Sequence, residues 1–206
     1  MAPRGLSMGH SEATTICPQT LARIMAINGA IDALECSYLY AEARQIRAGC
    51  IVEIGSYHGR STAALALGSL SGFNVPVYAI DPHEHFVGVY GGVFSPADRC
   101  IFFKNMLDLG LAETVRPISL SSEFVTGSWP IPVSLLWVDG DHTYVGVRRD
   151  LDCWLPHLPA GALVIFDDAT DPQLGPYAVI EELVKSGEWT RRLLLGKTVT
   201  LFRRTC

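Results

Sequence analysis

The six cysteines of this chain, at positions 17, 36, 50, 100, 153 and 206, contain no CxxC step and no alternation with histidine. The usual spacing of a cysteine metal site is therefore absent. Four of them lie in apolar or helical contexts, and buried thiols of a reducing compartment are expected. Long apolar runs are also missing. Nothing approaches the length that spans a bilayer, and no apolar leader core stands near Met1, which predicts a soluble, cytoplasmic protein with no membrane partner. Basic residues are scarce: 16 Lys and Arg face 21 Asp and Glu, for a net charge of −5. That balance argues against a nucleic-acid partner, and Arg148-Arg149, Arg191-Arg192 and Arg203-Arg204 are scattered pairs, not a track. Internal repeats and low-complexity linkers are lacking too, so 206 residues predict one domain.

What is present is an alternation of periods. Residues 1–16 are small and polar and read as a loose tail. From about 19 to 47, apolar residues recur at helical spacing with a break near Asn28-Gly29, giving two helices. This tail and its helices (1–47) belong to the same unit as the domain over 48–206. Strands are predicted over 50–54, 75–80, 114–119, 133–138, 161–166, 189–195 and 197–203. Helices fall between them over 60–70, 96–109, 143–155 and 175–186. Gly196-Lys197 joins the last two strands tightly, which implies an antiparallel hairpin. The fold class is α/β: a Rossmann-like, doubly wound, mostly parallel seven-stranded sheet with one antiparallel strand. Such a sheet binds its ligand outside the C-terminal strand ends, where strand order reverses.

Two of these strands run straight into acid. Ser134-Leu-Leu-Trp-Val-Asp139-Gly-Asp141-His142 and Ala162-Leu-Val-Ile-Phe-Asp167-Asp168 place four carboxylates at one sheet edge. Like charges so gathered repel unless a cation or a shared proton compensates. Oxygen ligands with open positions suit Mg²⁺ or another hard divalent ion better than zinc, with Asp139, Asp167 and Asp168 as expected ligands. His142, three residues beyond Asp139, is placed as general base. Asp141 is a second candidate base, or a partner that orients His142. Capping the helix near Thr143 is the plain alternative use of Asp139 or Asp141.

The first strand carries a second signal. Glu53-Ile-Gly55-Ser56-Tyr57-His-Gly59-Arg-Ser61 leaves a strand, turns on glycine and opens a helix. Its glycines let backbone approach a ligand, and the helix N-terminus favours an anionic group. Position 57 is Tyr, which breaks the dinucleotide fingerprint, and no Tyr-x-x-x-Lys pair is present. Both count against the alternative of an NAD-dependent oxidoreductase. The next strand ends in Asp81, placed to accept from both ribose hydroxyls. Loop and acid together point to a nucleoside cofactor.

These motifs, Glu53-x-Gly55-x-x-x-Gly59-x-Ser61, Asp81, Asp139-x-x-His142 and Phe166-Asp167-Asp168, resemble those of class I S-adenosylmethionine-dependent methyltransferases. Within that superfamily the chain resembles the small metal-dependent O-methyltransferases of sugars in antibiotic and polysaccharide biosynthesis. Catechol-type enzymes are more distant relatives with a similar metal site. The resemblance covers roughly residues 48–204. It implies S-adenosylmethionine as cofactor, with Gly55, Tyr57 and Ser61 around its methionine part, Asp81 on the ribose and Ser121 and Ser122 at the adenine. Glu53, Ser56, Gly59 and Asp139 complete the implied cofactor set. The acceptor is expected to be a small hydroxylated molecule, a sugar among the candidates, with a catalytically inactive small-molecule-binding relative as a further alternative. Asp81 to His85 reads as a polar loop, and 86–96, with Gly88, Gly91 and Gly92, as a mobile loop able to close over substrate. Asp150, Trp137 and Trp154 read as structural. The apolar helices before Cys50 point to a homodimer.

Overall fold

The computed structural model describes residues 16–205; the expected loose tail lies outside them except for Ile16, as does Cys206. Three central strands, β1 (Cys50–Ile54), β6 (Val133–Val138) and β7 (Leu163–Phe166), are buried almost throughout. They are the continuous apolar runs that a sheet covered on both faces requires. With β2 (Val77–Ile80), β5 (Val115–Ile118), β8 (Trp189–Leu195) and β9 (Thr198–Arg203), they form one sheet in the order β5-β2-β1-β6-β7-β9-β8. Strands β5 to β7 pair in parallel, and β9 runs antiparallel to both β7 and β8. This is the expected seven-stranded sheet with one reversed strand. Chain order reverses between β1 and β6, so the C-terminal ends of these two strands flank the crevice.

Alternate residues of each strand face opposite layers. Ile51, Leu135, Trp137 and Ile165 pack under α1 (Pro18–Met25), α2 (Ala33–Gln45), α3 (Arg60–Ser71) and α4 (Pro96–Asp108). Val52, Leu136, Val138 and Phe166 pack under α5 (Ser122–Val125), α6 (Tyr144–Trp154) and α7 (Gly175–Lys185). Asp32 starts α2 with a capping box: its carboxylate accepts from Leu34 N and Glu35 N, and Glu35 accepts from Asp32 N. Helices α2 and α3 then meet backbone to backbone. A Cβ at Gly68 would lie 2.3 Å from Tyr40 O, so only glycine allows that approach.

Ile24, Leu39 and Ala43 of the two N-terminal helices, with Ile27 and Ile31 in the link between them, are buried in their own chain's core. Two expectations change here. Of the five described cysteines only Cys36 and Cys50 are buried, with thiols pushed up to about 12 by desolvation. Cys17 precedes α1 and Cys100 lies on α4, both exposed, and Cys153 is half-buried. Finally, the loop expected over 86–96 contains a short antiparallel hairpin, β3 (Phe86–Val87) with β4 (Val93–Phe94). Among the described residues, no helix is long and apolar enough to cross a membrane.

Candidate active site

Beyond β1 the chain turns at Gly55, whose φ of +82° is open to glycine alone at little cost. A side chain there would also strike the next strand, since a Cβ would sit 2.2 Å from Asp139 O. The loop that follows is held by Asp81. Its Oδ2 accepts from the amides of Ser56 and Tyr57, both at 2.9 Å, and its Oδ1 accepts from His83 N at 2.8 Å. The His83 ring is buried between the carbonyls of Tyr57 and Asp81, 3.0 and 3.1 Å away. Tyr57, His83 and Asp168 all have φ between +45° and +49°. Left-handed backbone at three non-glycine residues of one site is strain of the kind that gathers at functional positions.

Glu53 lies beneath this loop, fully buried, and accepts from the hydroxyls of Ser61 and Thr62 at the start of α3. Burial, outweighing those two bonds, pushes its carboxyl up to about 7 from an ordinary 4.5. Between these values the native state holds a proton that the unfolded chain has released. This acid therefore makes stability fall as pH rises from about 4.5 to 7, by roughly 3 kcal/mol in all. In urea titrations across that range, Glu53→Gln should flatten the slope; an unchanged slope would show that Glu53 ionises freely.

The acid-tipped strands converge as their order requires. Asp139, His142 and Asp167 offer ligand atoms within 4.8 Å of one another. His142 Nε2 stands 3.6 Å from Asp139 Oδ1 and 3.4 Å from Asp168 Oδ2 and forms no hydrogen bond. Asp167 is buried, and its Oδ1 has no partner either. Desolvation, then the negative charge of Asp167, holds the Asp139 carboxyl well above the usual range. Asp167 is raised as well, chiefly by burial, against the opposing pull of Lys197. Lys197, from the turn between β8 and β9, places Nζ 2.6 Å from Asp167 Oδ2 and 3.0 Å from Asp168 Oδ1. Asp141 is engaged ahead of α6: its carboxylate accepts from Thr143 N and Oγ1, while Thr143 caps the helix by accepting from Gly146 N.

One cavity of about 440 Å³ joins these parts. Gly55, Ser56, Tyr57, Ser61, Asp81 and Ser121 line it on the glycine-loop side, and Asp139, Asp141, His142, Asp167 and Asp168 on the acid side. Glu53 and Gly59 are not among the lining residues and support the loop from behind. Phe86, Val89, Tyr90 and Phe94 of the short hairpin form a further wall, where Tyr57 meets Phe94 edge-on at 5.1 Å. Asp150, read as structural, is a buried part of the lining, its carboxyl raised by desolvation against the opposing influence of Ser122. Ser122 accepts from Trp154 Nε1.

A family model described as a methyltransferase domain matches residues 52–169, more than half of the chain. The chain belongs to this methyltransferase family. That membership counts against the oxidoreductase alternative. Solved structures share the fold. An O-methyltransferase from Bacillus cereus, in complex with SAH (S-adenosylhomocysteine), superposes with a TM-score of 0.68 at 17% identity, over 91% of this chain and 92% of that one. The O-methyltransferase TomG from Streptomyces achromogenes, in complex with SAM, gives 0.66 at 16% identity over 93% and 92%. A curated relative, the uncharacterized protein y4gI of Sinorhizobium fredii, is 32% identical over 126 residues. That match takes in 57% of this chain and 13% of the relative's length.

Lys197 and His83 are the methyltransferase's site residues that sequence reasoning missed. Lys197 stood in the sequence only as half of a tight turn, 30 residues from Asp167. His83 stood in a segment read as a polar loop.

Proposed function

We propose that this methyltransferase transfers its methyl group to a hydroxyl oxygen of a small acceptor, with His142 as general base. The observation that carries the reading is a single cavity with the glycine loop and Asp81 on one side and Asp139, His142, Asp167 and Asp168 on the other. The donor's groups find partners: Ser56 Oγ is buried without a hydrogen bond, and Asp81 has an acceptor position left beyond its three amide bonds.

The acid side suits a divalent cation held by Asp139, Asp167 and Asp168, since Asp167 Oδ1 is buried with no partner and all the donors are oxygen. A divalent ion bound there supplies Lewis acidity that lowers the pKa of an acceptor hydroxyl. With carboxylates as ligands, the lone pair on His142 Nε2 stays free to take the hydroxyl proton. The oxygen then bonds to the methyl carbon as the carbon–sulfur bond of the donor breaks, and the sulfonium becomes a neutral thioether. Beyond the proton, the protein's part is alignment and exclusion of water. The hairpin wall of Phe86, Val89, Tyr90 and Phe94 favours an acceptor with an apolar face. Tyr90 stands in the field of the acid cluster, its phenol raised by burial and then by Asp168 and Asp171.

Calorimetry tests the donor half: SAH should bind at one site per chain and NADH at none. Transfer of labelled methyl to vicinal diols and phenols tests the acceptor half. It should stop on chelation and return with Mg²⁺. Transfer that survives chelation would remove the cation from the reading, and transfer to amines alone would overturn the hydroxyl.

A further inference from the structure

The acid cluster already contains a cation that belongs to the chain. We infer that Lys197 competes with a divalent ion for Asp167 and Asp168 and so sets the metal affinity of the site. This rests on the cation reading above. Nζ bridges one oxygen from each of the two carboxylates, at 2.6 and 3.0 Å. The backbone that carries the lysine is held in place. Gly196, with a φ of +57°, makes the turn before it, and Lys197 O accepts from Ala169 N, the residue after Asp168. Thr198 Oγ1, next along, donates to the buried Glu35. Main chain and neighbour thus hold the backbone of Lys197 beside the strand end that carries both acids, within reach of its ammonium.

What Lys197 leaves free is the other half of the cluster. Asp167 Oδ1 has no partner, and Asp167 offers a carboxylate oxygen to a group with Asp139 and His142 whose ligand atoms lie within 4.8 Å of one another. An ion attracted to that half shares the Asp167 carboxylate with an ammonium on its second oxygen. To gain Asp168 as well, it must displace Nζ. Repulsion between two cations a few ångströms apart, in a partly desolvated site, weakens binding of the second. Lys197 therefore keeps the acids together without metal and makes metal loading reversible.

Manganese binding, followed by electron paramagnetic resonance, tests this on the full chain. Lys197→Met should bind Mn²⁺ at least about tenfold more tightly than the unaltered protein, by the loss of that repulsion, whereas Lys197→Arg, which keeps the charge, should show no gain. An equal or weaker affinity in Lys197→Met, with the unaltered protein binding Mn²⁺, would overturn the competition alone. No binding by any variant would remove the cation reading with it. A second measurement needs no variant: Mn²⁺ should speed acylation of Lys197 by an amine-reactive ester, read by peptide mass spectrometry. An unchanged labelling rate at saturating Mn²⁺ would equally overturn the proposal.

Discussion

His142→Ala should lower turnover by about two powers of ten or more, the ordinary worth of a positioned base, while SAH binds within about twofold of the unaltered affinity. The separation of effects follows from the geometry. His142 Nε2 has no hydrogen bond to lose and stands on the acid side of the cavity, away from the loop that Asp81 organises. Stopped assays at saturating donor and acceptor read the loss. Asp141→Asn is the matched control. Asp141 is engaged by Thr143 N and Oγ1 ahead of α6, so its replacement should cost several-fold at most, through a looser helix start. A hundredfold loss in Asp141→Asn with little in His142→Ala would transfer the role of base to Asp141.

Asp81→Ala should weaken SAH binding by about two powers of ten and raise KM for the donor far more than it lowers kcat. Three backbone amides, those of Ser56, Tyr57 and His83, lose their acceptor at once. An unpaired donor away from water costs about 1–3 kcal/mol, so the loop has every reason to move. It cannot simply relax, because Gly55 is wedged against Asp139 O and the His83 ring against the carbonyls of Tyr57 and Asp81. Asp81→Asn retains one carbonyl oxygen and should fall between the two. Calorimetric titration decides the matter, and an Asp81→Ala affinity within twofold of the unaltered protein would show that Asp81 neither builds the loop nor reads the ribose.

Much of the frame was legible because buried parallel strands announce themselves. Leu135-Leu-Trp-Val138 and Leu163-Val-Ile-Phe166 have no polar residue to place them anywhere but inside, and the period change at Cys50 marks where helices give way to strands. The short hairpin at Phe86 and Phe94 escaped notice, since two-residue strands leave no periodicity. Apolar spacing in α1 and α2 shows that a face must be covered, but not by what; within the chain, α3 packs against it.

The sequence by itself determined which chemistry stands at the sheet edge: a glycine turn after β1, an acid after β2, and Asp139, His142, Asp167 and Asp168 after β6 and β7. Strand order follows from connection rules and so brings those ends together. The pairings inside the site were decided only by the tertiary structure. Asp81 spends three acceptor positions on a loop 24 and 25 residues earlier and on His83, and Lys197 reaches two acids from a turn 30 residues beyond Asp167. The physical reason is that charge and hydrogen bonding act through distance in space. Periodicity reports which way a residue faces, and only the packed sheet determines which partner it meets there.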